Sequence, residues 1–128
     1  MRYLGIDYGA KRVGLAISDE GMQLAFPKAT LPNDAHLMEA IMGAVHAESV
    51  STIVIGESKD ENGVENPINS DIKKFAESLK SISNLPIFFS PEFMTSIESG
   101  RYDVEGKKDD ARSAALILQR YLDKIGNK

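Results

Sequence analysis

The chain of 128 residues contains no cysteine. It can therefore form no disulfide, no thiolate metal site and no cysteine nucleophile. The lack of disulfides fits a reducing cytoplasm, which is where we expect the protein. No apolar run approaches the length of a membrane span, and the sequence after Met1 enters a strand-like segment directly, without the pattern of a signal peptide. We expect no membrane partner.

A surplus of basic residues is missing as well, since the formal net charge is −4 and the isoelectric point is about 5.2. This acidic balance argues against broad, non-specific binding of nucleic acid. It does not exclude a nuclease, because the acids of a metal site add to the count and a local basic patch can survive an acidic total. The length and an apolar fraction of 42% predict one domain over residues 1–128.

Apolar periodicity and turn residues divide the chain into strands and helices. The predicted strands are residues 2–8, 12–18, 23–30, 51–56 and 85–89. Helices are predicted over 34–48, from Pro67 along an apolar stripe that ends at Ile82, and from Asp109 or Asp110 to Gly126. Residues 57–65 are expected to be an acidic loop, Thr95 to begin a short helix, and residues 100–108 to be a loop. Strands followed by alternating helices and strands predict an α/β fold, a mixed sheet with helices on its faces.

Asp7 is the most informative residue of the chain. It stands inside an apolar strand, where an uncompensated charge is costly. Gly5 and Gly9 flank it and leave room for a compensating partner to come close. A divalent metal ion, or a phosphate held through one, is the partner that most often compensates such an acid.

Two other acids stand at positions in the sequence from which they could join Asp7 in one site. Glu92 follows the predicted strand 85–89, and Asp110 opens the last helix. Ligands of α/β sheets gather at the carboxyl ends of strands. Convergent carboxylates with open positions suit Mg²⁺ or Mn²⁺, which can activate water against a phosphodiester. Other roles stay open, because Asp110 could be only a helix cap, with Asp109 competing for that role, and Glu92 a solvated acid.

Four cations are candidates for contact with nucleic acid. Lys11 and Arg12 lie in the turn after Asp7, and Lys107 and Lys108 precede the last helix. Each could meet substrate phosphates. Each could equally be a charge in water, since turns are often polar, and the residues alone do not decide between these roles.

The segment Gly5-Ile-Asp-Tyr-Gly-Ala-Lys-Arg-Val-Gly-Leu-Ala-Ile-Ser-Asp19 closely resembles the opening motif of the YqgF/RuvX family. These small RNase H-like proteins are described as Holliday junction resolvases and as pre-16S rRNA nucleases. The likeness continues, in order, through residues 53–56, 62–63, 75–80, 85–86 and 110–122. It implies a five-stranded, RNase H-like mixed sheet with helices on both faces. It also implies Mg²⁺ or Mn²⁺ at Asp7, Glu92 and Asp110, and cleavage of phosphodiesters in structured nucleic acid.

One departure from the family pattern concerns the segment around Glu92. Family members typically read Asp-Glu-Arg-x-Thr-Thr there, whereas this chain has Pro91 and Phe93 in place of the Asp and the Arg. An Arg could clamp a phosphate, and Phe cannot. Glu57-Ser58 likewise replaces an apolar-Pro pair. We expect these changes to affect the affinity for substrate and the rate of cleavage more than the binding of metal.

Four functions follow from these observations. The first is a metal-dependent endonuclease that processes the 5′ end of pre-16S rRNA in ribosome biogenesis. The second is resolution of branched DNA at Holliday junctions, which would favour a homodimer over a monomer. The third is a catalytically weakened or inactive nucleic-acid-binding module. The fourth, an actin-like or sugar-kinase ATPase, would need two such domains and is disfavoured by the length.

Overall fold

A sheet of five strands forms the centre of the chain in the computed structural model, which describes residues 1–59, 68–93 and 110–126. The strands are β1 (Arg2–Tyr8), β2 (Arg12–Ser18), β3 (Ala25–Pro32), β4 (Val50–Lys59) and β5 (Ile87–Phe93). The helices are α1 (Leu37–Ala47), α2 (Ile68–Ser83) and α3 (Asp110–Gly126). The sheet order is β3-β2-β1-β4-β5. Strand β2 is antiparallel to its neighbours β1 and β3, whereas β4 and β5 run parallel to β1. The predicted mixed five-stranded sheet is confirmed.

Alternate residues of β1 enter two separate cores, one on each face of the sheet. Leu4 and Ile6 belong to the larger core, which α1 and α2 cover, whereas Gly5 faces α3. The buried side chains of the larger core include Val13, Leu15, Leu37, Ile41, Val45, Ile53, Ile55, Ile72, Phe75 and Leu79. Those of the smaller core are Ala16, Val54, Ala114, Ile117, Leu118 and Leu122. Each fully buried large side chain stabilises the fold by about 1.5–3 kcal/mol, so both helical layers are firmly held.

Two glycines allow α3 to lie directly on the sheet. A β-carbon at Gly5 would stand 2.7 Å from Cβ of Leu118, and one at Gly14 would overlap the carbonyl of Asp110. The space beside Gly5, which the sequence assigned to a partner of Asp7, is therefore taken by the helix itself. The same close approach brings the first residue of α3 against the β1–β2 pair.

Strands β4 and β5 are longer than predicted. Residues 57–59 belong to β4 and not to a loop, and β5 continues through Pro91 to Phe93. The two strands extend each other, since Ser58 pairs with Glu92 in the parallel ladder. Pro91 offers no N–H for pairing, which the outer position of β5 in the sheet tolerates. The rest of the predicted acidic loop, the predicted helix at Thr95 and the predicted loop over 100–108 lie outside the described residues.

Local hydrogen bonds explain two smaller differences. Strand β3 begins two residues later than predicted, because Oδ1 of Asp19 accepts from the backbone N–H groups of Gln23 and Leu24. Helix α1 begins at Leu37, since the carboxylate of Asp34 first forms a turn with the amide of His36. Ile82, the last residue of the predicted apolar stripe, is 54% exposed at the end of α2. In the part of the chain that the structure describes, no helix is long and apolar enough to cross a membrane.

Candidate active site

Asp7 and Asp110 meet at one corner of the sheet. Asp7 pairs across the β1–β2 ladder with Gly14, and the backbone of Asp110 contacts that same glycine. Opposed residues of antiparallel strands have Cα atoms about 4.5–5.5 Å apart, so the two acids belong to neighbouring backbone positions. Asp7 is 7% exposed and Asp110 is 2% exposed. The backbones of two buried acids are therefore neighbours although the residues come from opposite parts of the chain.

Asp110 is the first residue of α3. The free N–H groups and the dipole of a helix favour a negative charge at this end, which lowers the cost of burying an acidic side chain there. The predicted start of the last helix at Asp109 or Asp110 is confirmed. A helix-terminal acid and a ligand of a cation are compatible roles, because the carboxylate has two oxygens and several lone pairs.

Arg12 is paired with Asp110, a contact that the sequence did not predict. Its Nε donates to Oδ2 of Asp110 at 2.9 Å, across 98 residues of sequence. The Arg12 side chain remains 56% exposed, whereas its acidic partner is almost fully buried. A charge-assisted hydrogen bond of this length compensates part of the cost of burying the acid. Besides the substrate phosphates and the water that the sequence leaves open as partners of Arg12, the structure gives it Asp110.

The turn that carries Arg12 is fixed by the connection between β3 and α1. The side-chain amide of Asn33 donates to the carbonyl of Gly9 at 2.8 Å, and the backbone N–H of Asn33 donates to the carbonyl of Lys11 at 2.9 Å. A β-carbon at Gly9 would stand 2.6 Å from the carbonyl of Arg12, so the turn requires glycine. Lys11 is exposed at the tip of this turn, where it can meet solvent or a substrate.

Glu92 lies on β5, the edge strand next to β4. Ile6 is level with Ile55 of β4, and the next residue of β4 is level with Ser90. The backbone of Glu92 is thus two strand spacings from Asp7, about 10 Å, and about 7 Å further along the strand direction. Its side chain lies outside the described part of the structure. Lys107 and Lys108 also lie outside the described residues.

The described donors suit a hard divalent cation. Carboxylate oxygens are the ligands that Mg²⁺ and Mn²⁺ prefer, and the corner offers two carboxylates with little exposure. Among the side chains that the structure describes, which do not include that of Glu92, no group of three acidic or histidine residues lies close enough to hold a metal ion. Asp7 and Asp110 thus fit part of a metal centre.

Comparison with known proteins places this geometry in a family. The family model RuvX, described as Holliday junction resolvase, matches residues 1–124. A protein of Nitratidesulfovibrio vulgaris (strain DP4) named "Putative pre-16S rRNA nuclease" is 35% identical over 123 residues, which cover 94% of this chain and 80% of that protein. A protein of the same name from Caldanaerobacter subterraneus subsp. tengcongensis is 33% identical over 138 residues, which cover 99% of both.

A solved structure supports the fold. The RuvC protein of T. thermophilus, in complex with a Holliday junction substrate, superposes with a TM-score of 0.64. The match covers 99% of this chain and 97% of RuvC at 12% sequence identity, so it speaks for the RNase H-like architecture alone. The family model and the two relatives go further, because they match the sequence over nearly its whole length. The chain therefore belongs to the RuvX family, also called YqgF.

Proposed function

We propose that this chain, a nuclease of the RuvX family, hydrolyses phosphodiester bonds with the help of Mg²⁺ or Mn²⁺ bound at Asp7, Glu92 and Asp110. The burial of the Asp7 and Asp110 carboxylates at one corner carries the proposal. Burying an ionised carboxylate is expensive unless a cation or hydrogen bonds compensate it. A divalent ion held by both acids would offset the cost of burying them.

Glu92 is included because of the sheet register. Residues of a strand alternate between the two faces, so position 92 belongs to the same face as position 90. Ile6 pairs with Ile55 of β4, so Asp7 is level with the next residue, Gly56. Gly56 in turn pairs with position 90 of β5. By this register, positions 7 and 92 share one face at the carboxyl ends of their strands, which is where ligands of α/β sheets gather.

The chain's own groups would bind and orient the substrate. When bound, the metal ion supplies an activated water and stabilises charge on the leaving oxygen. Asp7 and Asp110 would hold that ion, because both stand on elements that the two cores fix in place. Lys11, the exposed part of Arg12, Lys107 and Lys108 would attract the phosphates of the substrate. Phe93 in place of the family's Arg removes one such cation, so the grip on substrate is expected to be weaker.

Pre-16S rRNA is the proposed substrate, with cleavage near its 5′ end and a cytoplasmic location. The support is that relatives covered over most of their length carry that name, at 33–35% identity. A Holliday junction is the second candidate, supported by the description of the family model. Junction resolution would require a homodimer with two symmetric sites, whereas RNA cleavage can be performed by a monomer. A third candidate is a module that binds nucleic acid without cutting it, suggested by Pro91 and Phe93.

A cleavage assay separates these candidates. Wild type, Asp7→Asn and Asp110→Asn are incubated with an RNA spanning the 5′ precursor of 16S rRNA and, separately, with a four-way DNA junction, in Mg²⁺, in Mn²⁺ and in a chelator. Asp71→Asn, an exposed acid at the start of α2, is the matched control. Each site variant is expected to lose at least about 100-fold in rate, since losing even an outer partner of a ligand costs up to that much. Equal cleavage by wild type and Asp7→Asn would contradict the proposal.

A further inference from the structure

The ion pair between Arg12 and Asp110 joins groups with very different exposure. Asp110 is buried to 2% exposure, whereas Arg12 reaches it from a side chain that is 56% exposed. The positive charge thus enters the corner from the solvent side. Nε of Arg12 donates to Oδ2 of Asp110 at a distance of 2.9 Å.

The backbone beneath Arg12 is fixed, and its side chain is long. Asn33 holds the turn through the carbonyls of Gly9 and Lys11. A side chain with several rotatable bonds can leave Asp110 without moving that turn, and its exposed half already stands in water. The structure therefore allows Arg12 to change partners at little cost to the fold.

We propose that Arg12 is a positioning residue that competes with the metal ion for Asp110. It holds the carboxylate in the metal-free protein, and it turns outward when the cation binds, which places its guanidinium where a substrate phosphate can meet it. This inference rests on the proposed function, because it assumes a metal ion at Asp7 and Asp110. A guanidinium and a divalent ion on one carboxylate repel each other strongly at such short range, so binding of one weakens binding of the other.

Mn²⁺ titration calorimetry on the full chain tests the competition. Arg12→Gln removes the competing charge, and Lys11→Gln, an exposed neighbour in the same turn, removes an equal charge without this contact. Arg12→Gln is expected to bind Mn²⁺ about 10-fold more tightly than wild type, the low end of measured couplings between close charge pairs. Lys11→Gln should stay near the wild-type value, and Arg12→Lys, which restores the charge, should return most of the way to it. A merely structural role for Arg12 would predict weaker binding.

Heat denaturation without metal provides the second readout. Arg12→Gln is expected to melt at a lower temperature than wild type, because Asp110 loses a counter-charge, and to gain more on saturation with Mn²⁺. Arg12→Gln that binds Mn²⁺ as well as wild type, or less well, would overturn the inference while leaving the nuclease proposal intact. Absence of binding by both proteins at millimolar Mn²⁺ would overturn the inference and the metal site together.

A measurement on the wild type tests the inference even if Arg12→Gln does not fold. The Nε–H resonance of Arg12 is assigned by comparison with Arg12→Lys and followed by NMR during titration with diamagnetic Mg²⁺. It is expected to move toward the position of a solvent-exposed arginine as the metal site fills. A resonance that stays in place while the amides around Asp7 shift would show that Arg12 keeps its hold on Asp110, and the inference would fail.

Discussion

Gly14 of β2 and Asp110 of α3 are packed so closely that a β-carbon at residue 14 would overlap the Asp110 carbonyl. Gly14 is also the strand partner of Asp7. One glycine thus sets the position of both candidate acids, one through the ladder and the other through the helix. The geometry of the corner depends on this contact as much as on the acids themselves.

Replacing Gly14 by alanine is therefore expected to destabilise the protein. The new methyl group meets backbone atoms, which cannot rotate away, so α3 must shift; overpacking of this kind costs about 1–3 kcal/mol or more. Urea unfolding gives the change in free energy. The matched control is Gly43→Ala in α1, where an added β-carbon meets nothing within 4 Å. There the change should stabilise the protein by about 0.5–1 kcal/mol, because alanine favours a helix over glycine. A Gly14→Ala protein as stable as wild type would contradict this packing.

Divalent metal is expected to stabilise the folded protein. A ligand at 100 times its dissociation constant adds about 2.7 kcal/mol to the free energy of unfolding when it binds the folded state alone. The melting temperature of wild type should therefore rise with Mg²⁺ or Mn²⁺ and fall back on adding a chelator. Asp7→Asn should lose this response, while the exposed control Asp71→Asn keeps it. An equal rise in wild type and Asp7→Asn would place metal binding elsewhere.

Gln119 of α3 is expected to hold the turn between β2 and β3. Its Oε1 accepts from the N–H of Ala25 at 2.9 Å, and its Nε2 donates to the carbonyl of Gln23 at 2.8 Å. Gln119→Leu removes both bonds and should cost about 1–3 kcal/mol, since each is worth roughly 0.5–1.5 kcal/mol. Amide hydrogen exchange at Ala25 should become faster. Asp123→Ala, which removes only an exposed bond to Nε2, is the control; similar exchange at Ala25 in both variants would refute the assignment.

Asp19 gives the protein a pH-dependent contribution to stability. The backbone N–H groups of Leu24 and Gln23, in that order, lower the pKa of its carboxyl below the usual 3.8. Because the folded pKa is the lower one, the contribution is present above pH 3.8 and is lost as the pH falls through the folded value. The difference in unfolding free energy between wild type and Asp19→Asn should therefore be largest above pH 3.8 and shrink below it. A difference that does not vary with pH would contradict this assignment.

The sequence predicted the elements whose pattern is local. Strands β1 and β2 have the predicted bounds, since each is a largely apolar run with four consecutive buried residues. The sequence does not predict the carboxyl-terminal parts of β4 and β5, because polar residues such as Glu57 and Ser90 give no strand signal. In these parts, β4 and β5 pair with each other. Their extension depends on a partner that is distant in sequence.

The candidate site divides in the same way. Asp7 could be singled out because its apolar surroundings are contiguous with it. The ion pair of Arg12 with Asp110 could not be foreseen, since it joins residues 98 positions apart and needs α3 to dock on Gly14. The sequence shows a glycine at position 14. It does not show whether the space beside that glycine serves a turn, a ligand or a helix.

The order of synthesis has a consequence for when the protein can act. The hairpin of β1 and β2 leaves the ribosome early and carries Asp7, whereas α3, which carries Asp110, is made long afterwards. With the roles proposed for these acids, a growing polypeptide holds only part of its cutting centre. On these roles, the chain would be unable to hydrolyse a phosphodiester until α3 has been translated and has docked on the sheet.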